Sequence, residues 1–150
     1  MKDINIIGLS AFYHDSAAAI IKNGEIIAAT HEERFSRVKH DKRFPINSIN
    51  YCLEFSNLEP SEIDAFVYYD SPNLSLDRIL SNSIIAGEKS KLFLEKNIES
   101  FFENKILIPE IIKKYFGSLG KEEKLLFAEH HMAHAAAAFY PSPFKNASIL

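Results

Sequence analysis

The stretch SAAAIIKNGEIIAATHEE, residues 16–33, decides how the chain begins to fold. Two apolar runs rich in isoleucine and alanine, 16–22 and 25–33, flank Asn23-Gly24. Both central residues of a type I′ turn need positive φ, and Asn-Gly supplies them at little steric cost, so the two runs read as a hairpin. Just upstream, INIIGLS (4–10) has the β-branched character of a buried strand. The opening is therefore predicted as a three-strand unit, with FYHDS at the junction between its first two strands.

Beyond the hairpin, HEERFSRVKHDKRFP (31–45) lacks a clean period and reads as a locally basic loop carrying Arg34, Arg37, Lys39, Lys42 and Arg43. From Pro45 the apolar residues Ile46, Ile49, Cys52, Leu53 and Phe55 recur at helical spacing, and Ser56-Asn57 supplies a stop. AFVYY (65–69) then makes a strand ending at Asp70. Residues 75–116 divide into about three helices punctuated by Gly87 and Pro109. LLFA (125–128) is a further strand, a histidine-rich helix follows over about 130–139, and ASIL (147–150) reads as the start of another strand. Strand, helix, strand in this order predicts an α/β domain, a mixed sheet flanked by helices.

The bulk numbers exclude several classes. With 150 residues, 47% of them hydrophobic and 25% charged, the chain fits about one globular domain with a sizeable core. A net charge of -3, from 17 basic and 20 acidic residues, makes nucleic acid an unlikely partner and gives no reason to expect an anionic membrane. The single cysteine, Cys52, rules out an internal disulfide and reads as a buried, inert thiol suited to a reducing cytoplasm. Neither a secretion signal nor a run long enough to cross a membrane is visible. The chain stops at KNASIL, a strand-like run without a cap or polar tail, as expected of the N-terminal piece of something longer.

Chemistry concentrates in three places. In EHHMAHAAAAFYPSPF (129–144), His130 and His134 share one face of the predicted helix while His131 points about 100° away. Two imidazoles so placed can chelate one divalent ion, with Glu129 or a carboxylate from elsewhere as a third ligand. Equally, they can decorate the start of a helix whose alanines pack on a sheet, and spacing alone leaves both readings open. His14 and Asp15 stand at a strand end, where α/β sheets collect functional groups, although a turn histidine with local hydrogen bonds explains them too. Adjacent residues in an extended segment face opposite sides, which argues against a direct base-and-orienter pair. The basic segment could hold a phosphate through Arg34 or Lys39, or form a solvated face partly neutralised by Glu32, Glu33 and Asp41.

GLSAFYHDSAAAII, then EERFSRVKHDKRFP followed by YCLEF, and finally EHHMAHAAAAFYPSPF together resemble the N-terminal domain of the O-carbamoyltransferases that decorate nodulation factors and antibiotics. The resemblance covers most of residues 4–70 and 127–150 and is weak across the helical middle. It implies the first lobe of a duplicated module with the fold of actin, sugar kinases and heat-shock ATPases. It also implies a second domain that makes carbamoyl-adenylate from carbamoyl phosphate and ATP, and transfer of the carbamoyl group to the hydroxyl of a small-molecule acceptor. His130 and His134 match the helical metal pair, for iron or zinc; His14 matches the histidine that deprotonates the acceptor; Lys39, with Asp15 and Arg34, would bind substrate or phosphate.

The resemblance places the second lobe, the adenylate-forming domain and the remaining metal ligands outside these 150 residues. The chain tested alone is then expected to be inactive, and its uncovered sheet edge and apolar face to favour self-association. Alternatives that fit the same residues are carbamoyl transfer to a protein thiol or an RNA base, and a non-catalytic nucleotide-binding or interaction module.

Overall fold

In the computed structural model, Asn23 and Gly24 take φ of 53° and 88°, as a type I′ turn requires. The description covers residues 3–13, 15–117 and 125–149. The hairpin joins β2 (Ala17–Lys22) to β3 (Glu25–His31), with a register irregularity between Ile20 and Ile21. Asn23 also fastens the turn to the strand before it, its Oδ1 accepting the Ile4 N–H at 2.9 Å.

β1 (Asn5–Ser10) runs antiparallel to β2 on one side and parallel to β4 (Ala65–Tyr68) on the other. β5 (Leu125–Phe127) extends the parallel part, giving a mixed five-stranded sheet in the order β3-β2-β1-β4-β5. The antiparallel half needs only short connections, whereas each parallel neighbour requires a crossover. α1 (Glu33–Ser36) and α2 (Ile46–Ser56) make the first, and α3 (Pro72–Ala86), α4 (Lys91–Glu103) and α5 (Ile108–Phe116) make the second.

Alternation along the strands gives the sheet two unlike faces. Ile7, Leu9, Ile20, Phe66 and Tyr68 point into a core sealed by Ile49, Cys52 and Leu53 of α2 and by Ile108 and Ile112 of α5. Burying each such aliphatic or aromatic side chain contributes roughly 1.5–3 kcal/mol. The opposite face carries Ile6, Gly8, Ser10, Val67 and Tyr69, and there α6 (His130–Phe139) overhangs the sheet across a cavity of about 900 Å3. Burial raises the Cys52 thiol pKa to about 11, which keeps it protonated and unreactive at neutral pH.

Two expectations need correction. Residues 31–45 are not a plain loop: one turn of helix, α1, forms within them, closed by Arg37 in the left-handed region at φ 59°. Ala147 to Ile149 are not in a strand, because a strand exists only beside a partner and none of the five pairs with them; Leu150 lies outside the described residues.

The larger surprise is Glu32, which the sequence places among solvated charges and the fold leaves only 3% exposed. Its Oε1 accepts the Asn47 backbone N–H (3.2 Å) and Nδ2 (2.6 Å), and its Oε2 accepts the Ser48 N–H (2.9 Å) and hydroxyl (2.8 Å). A carboxylate over the first turn of α2 satisfies N–H groups that lack helical partners and meets the positive end of the helix dipole. Glu32 also donates its own N–H to the Ser16 carbonyl at 2.8 Å, so one residue ties the β1–β2 junction to the helix that seals the core.

At the other end of α2, Asn57 adopts φ 54° and its N–H reaches the Glu54 and Leu53 carbonyls, which makes the predicted stop real. Glu32→Ala is expected to lower stability by about 2–4 kcal/mol, because buried donors lose their acceptor. A shift of the urea midpoint at unchanged m-value would measure it; a loss below about 0.5 kcal/mol would mean that water replaces the carboxylate.

Candidate functional site

The ends of β1, β4 and β5 that follow their last residues lie along the same edge, since these three strands are parallel. Loops at that edge bring together residues distant in sequence, the usual place for a site in such sheets. The β1 loop offers Phe12, Tyr13 and Asp15, with Phe12 and Asp15 both left-handed at φ 67° and 52°. β4 ends beside Asp70, and β5 leads into Glu129 and the start of α6.

At the α6 start, the Nε2 atoms of His130 and His134 stand 3.2 Å apart with their rings nearly perpendicular, at 84°. Two nitrogen ligands held about 2.0–2.1 Å from one tetrahedral ion are separated by roughly 3.3 Å, so the pair fits a shared ion. The same approach also suits an N–H donated from one ring to the other. Burial first, and the neighbouring His134 second, hold the His130 imidazole below its ordinary pKa, which keeps a lone pair available at neutral pH. Its Nδ1 is buried without a partner among the described residues, and its ring packs edge-on to Tyr69 at 5.4 Å.

Next to this pair lies a network that no local motif announces. The buried Asp70 accepts Lys105 Nζ at 2.6 Å and the Ser75 hydroxyl at 2.7 Å on Oδ2, and the Ser71 N–H at 2.9 Å on Oδ1. Arg78 reaches to 3.9 Å of the same carboxylate. Burial raises the Asp70 pKa, but Lys105 and the hydroxyl outweigh it and keep the group below the ordinary range, hence ionised. The Asp70 and Arg78 charges both act on His130, so network and pair form one electrostatic neighbourhood.

A second cluster gathers the other expected residues. Asp15 Oδ1 meets His40 Nδ1 at 2.8 Å, the His40 backbone N–H donates to Glu33 Oε2 at 3.1 Å, and Glu33 Oε1 pairs with Arg34 at 3.1 Å. Asp15, Glu33 and His40 place ligand-type atoms within 4.8 Å of one another. Lys39 is exposed beside them. Asp15 thus meets His40 directly and Arg34 joins through Glu33, while Lys39 is the chain neighbour of His40, a residue the sequence reading passed over although it stands inside the quoted basic motif. His14 lies outside the described residues.

The basic segment itself is less free than its composition suggests. Arg43 makes a paired contact to the buried Asp41, Nε to Oδ1 at 2.9 Å and Nη2 to Oδ2 at 2.6 Å, while the Asp41 carbonyl accepts the Ser16 N–H at 2.8 Å. Asp70, Ser75, Arg78 and Lys105 were missed as well. The one usable signal was that Asp70 ends a predicted strand.

Over residues 5–150 the sequence matches the model of the carbamoyltransferase N-terminus. The chain belongs to that family. Among the relatives of this carbamoyltransferase domain, the uncharacterized protein sll1178 of Synechocystis is 40% identical over 97% of the chain, and the nodulation protein NolNO of Sinorhizobium fredii is 32% identical over 94%. The uncharacterized protein MJ1058 of Methanocaldococcus jannaschii is 30% identical, again over 94%. The chain spans 25%, 19% and 29% of those proteins respectively. The chain thus corresponds to a part of larger polypeptides.

Arg43 holds the Asp41 carboxyl well below the usual carboxylate range. Because its folded-state pKa lies below that of the unfolded chain, the bridge contributes in full at neutral pH and fades as pH falls below about 4. Arg43→Ala should therefore cost about 1–2 kcal/mol at pH 7 and clearly less at pH 3. Urea midpoints of both proteins at the two pH values would check it; an unchanged difference would assign the loss to packing.

Proposed function

We propose that the intact protein is an ATP-dependent O-carbamoyltransferase, which moves a carbamoyl group from carbamoyl-adenylate to a hydroxyl of a small molecule in the cytoplasm. Family membership supports carbamoyl transfer. The observation that carries the finer reading is the convergence of the His130 and His134 Nε2 atoms at 3.2 Å, at the sheet edge where Asp70 and the β1 loop also meet. Iron or zinc held by these two histidines, when bound, would supply Lewis-acid polarisation of a phosphate or carbonyl oxygen.

In this reading the sheet, sealed on one face and open on the other, is the first lobe of a duplicated actin-like module. The adenylate-forming step and further metal ligands belong to sequence beyond residues 1–150, in keeping with the small share of its relatives that the chain spans. His14 is the base that takes the acceptor's proton, a role that fits the strand-end position of its loop. Asp15 fixes the orientation of the His40 ring by accepting from Nδ1. Lys39 and Arg34 bring positive charge to the phosphate side of the adenylate. Asp70 orders Lys105 and Ser75 and places a fixed negative charge near the histidine pair.

Titration of zinc or iron(II) into the 150-residue chain tests the metal reading directly. Binding is expected at about one ion per chain, weaker than a complete four-ligand site, and abolished in the His130→Ala/His134→Ala double variant. Equal binding by the variant would sink the assignment. Incubated alone with ATP, carbamoyl phosphate and a hydroxyl acceptor, the chain should release no carbamoylated product by mass spectrometry.

A further inference from the structure

Residues 72–107, which hold α3 and α4, are folded inside out. The hairpin buries Ser75, Ser83 and Ser90, whose hydroxyls donate to Asp70 Oδ2 and to the Ile79, Ser83 and Gly87 carbonyls at 2.6–2.8 Å. Its large side chains lie outside: Ile84 and Ile85 at the tip are 80% and 84% exposed, and Leu92 beside them and Phe102, Ile106 and Leu107 at the base are exposed as well. Among the described residues Phe101 is the only buried apolar side chain of this stretch, and the hydrophobic core under the sheet draws nothing from it. An amphipathic hairpin ordinarily does the reverse, and exposed apolar surface on this scale marks a contact.

The charges of α4 are equally odd for a helix standing alone. Lys91 is its first residue and Lys96 follows in the first half, whereas Glu99 and Glu103 lie toward its end. A helix dipole is positive at the N-terminus and negative at the C-terminus, so Lys91 and Glu103 each meet their own sign. Positions 92, 95–96, 99 and 102–103 recur at three-and-four spacing and are all exposed, which puts Leu92, the charges and Phe102 on one stripe. Over 72–107 the chain carries five acidic and five basic residues, hence no net charge to repel a copy of itself or to attract a strongly charged partner.

We propose that the protein forms a two-fold dimer through the exposed face of the α3–α4 hairpin, with α4 antiparallel to α4 of a second copy and the axis near Asn97. Lys91 then faces Glu103 of the partner subunit and Lys96 faces Glu99 of the partner subunit, twice over by symmetry. Leu92 covers Phe102 of the partner subunit, and the tip isoleucines meet the aliphatic residues at the opposite base. Six large apolar side chains on each side, with the charges between them, approach the roughly 800 Å2 per partner of a standard interface. The hairpin is tied to the sheet edge by Lys105 and Ser75, both on Asp70, so the dimer braces the network beside His130.

Sedimentation velocity over a range of concentrations tests it by charge exchange. The 150-residue chain should show a monomer–dimer equilibrium. Lys91→Glu/Lys96→Glu turns the stripe acidic and Glu99→Lys/Glu103→Lys turns it mainly basic, so like charges face each other across the axis in either homodimer. Each double variant should self-associate at least about tenfold more weakly than the natural chain. Mixed in equal amounts, the two should pair with each other at least as tightly as the natural chain pairs with itself. Far-UV circular dichroism should show no loss of helix in either, because both exchanges suit the α4 dipole better than the natural residues do.

A chain that stays monomeric at every concentration, or that grows into open-ended assemblies, would overturn the dimer. So would double variants that self-associate unchanged, or that fail to reunite when mixed. Association abolished by Ile26→Glu, an exposed position on the outer strand of the sheet, but indifferent to both charge variants would put the contact on the sheet instead. Full-length protein that is monomeric, or whose dimer ignores the same substitutions, would assign the hairpin face to its own further domains and likewise overturn the proposal.

Discussion

A carboxylate over the first turn of α2 is the constraint on which the rest of the fold depends. Glu32 brings negative charge to four donors of Asn47 and Ser48 and is anchored in turn to the Ser16 carbonyl. Without it, the helix that covers the hairpin would present unsatisfied N–H groups to a dry interior. The loop carrying the candidate site hangs from the same attachment, because Ser16 also donates to the Asp41 carbonyl and Phe12 to that of Lys42. Core and site are therefore held by one set of bonds. A substitution that loosens α2 would disturb Phe12 and Asp15 without touching them.

What could be read in the sequence was local. Asn23-Gly24 fixes a turn by its own backbone preferences, and Asn57 ends α2 for the same reason, so both are legible in a window of a few residues. The helical register of His130 and His134 is likewise a property of five consecutive positions. Partnerships across the chain were not legible. Asp70 finds Lys105 at a separation of 35 residues and Asp15 finds His40 at 25, and no periodicity encodes such pairs. Glu32 and Asp41 looked like solvated charge because charge run and buried pair have the same composition, and only the packing of α2 distinguishes them.

The site shows how one sheet edge serves two different kinds of loop. Around His40 the groups come from the β1 loop and the segment after β3, with Asp15 reaching across 25 residues, and are bound into a short chain of polar contacts. Around Asp70 the groups come from β4, α3 and the start of the segment before α5, and their geometry depends on how the long helical crossover packs. Change in that crossover can alter what is bound while the strand ends remain in place.

The order of the strands also sets an order of assembly. β1, β2 and β3 are consecutive and joined by short connections, and α2, which covers them, follows before β4 begins at Ala65. Residues 5–57 can thus pair and be capped by Glu32 while the remainder is still emerging from the ribosome. β4 adds later to an edge of β1 that is already formed, and β5 in turn to β4, each after a long crossover that is slow to close. The nascent chain accordingly spends time with β1 as an exposed edge, and Asn5, which receives Asp64 just ahead of β4, is the point where that edge is first occupied.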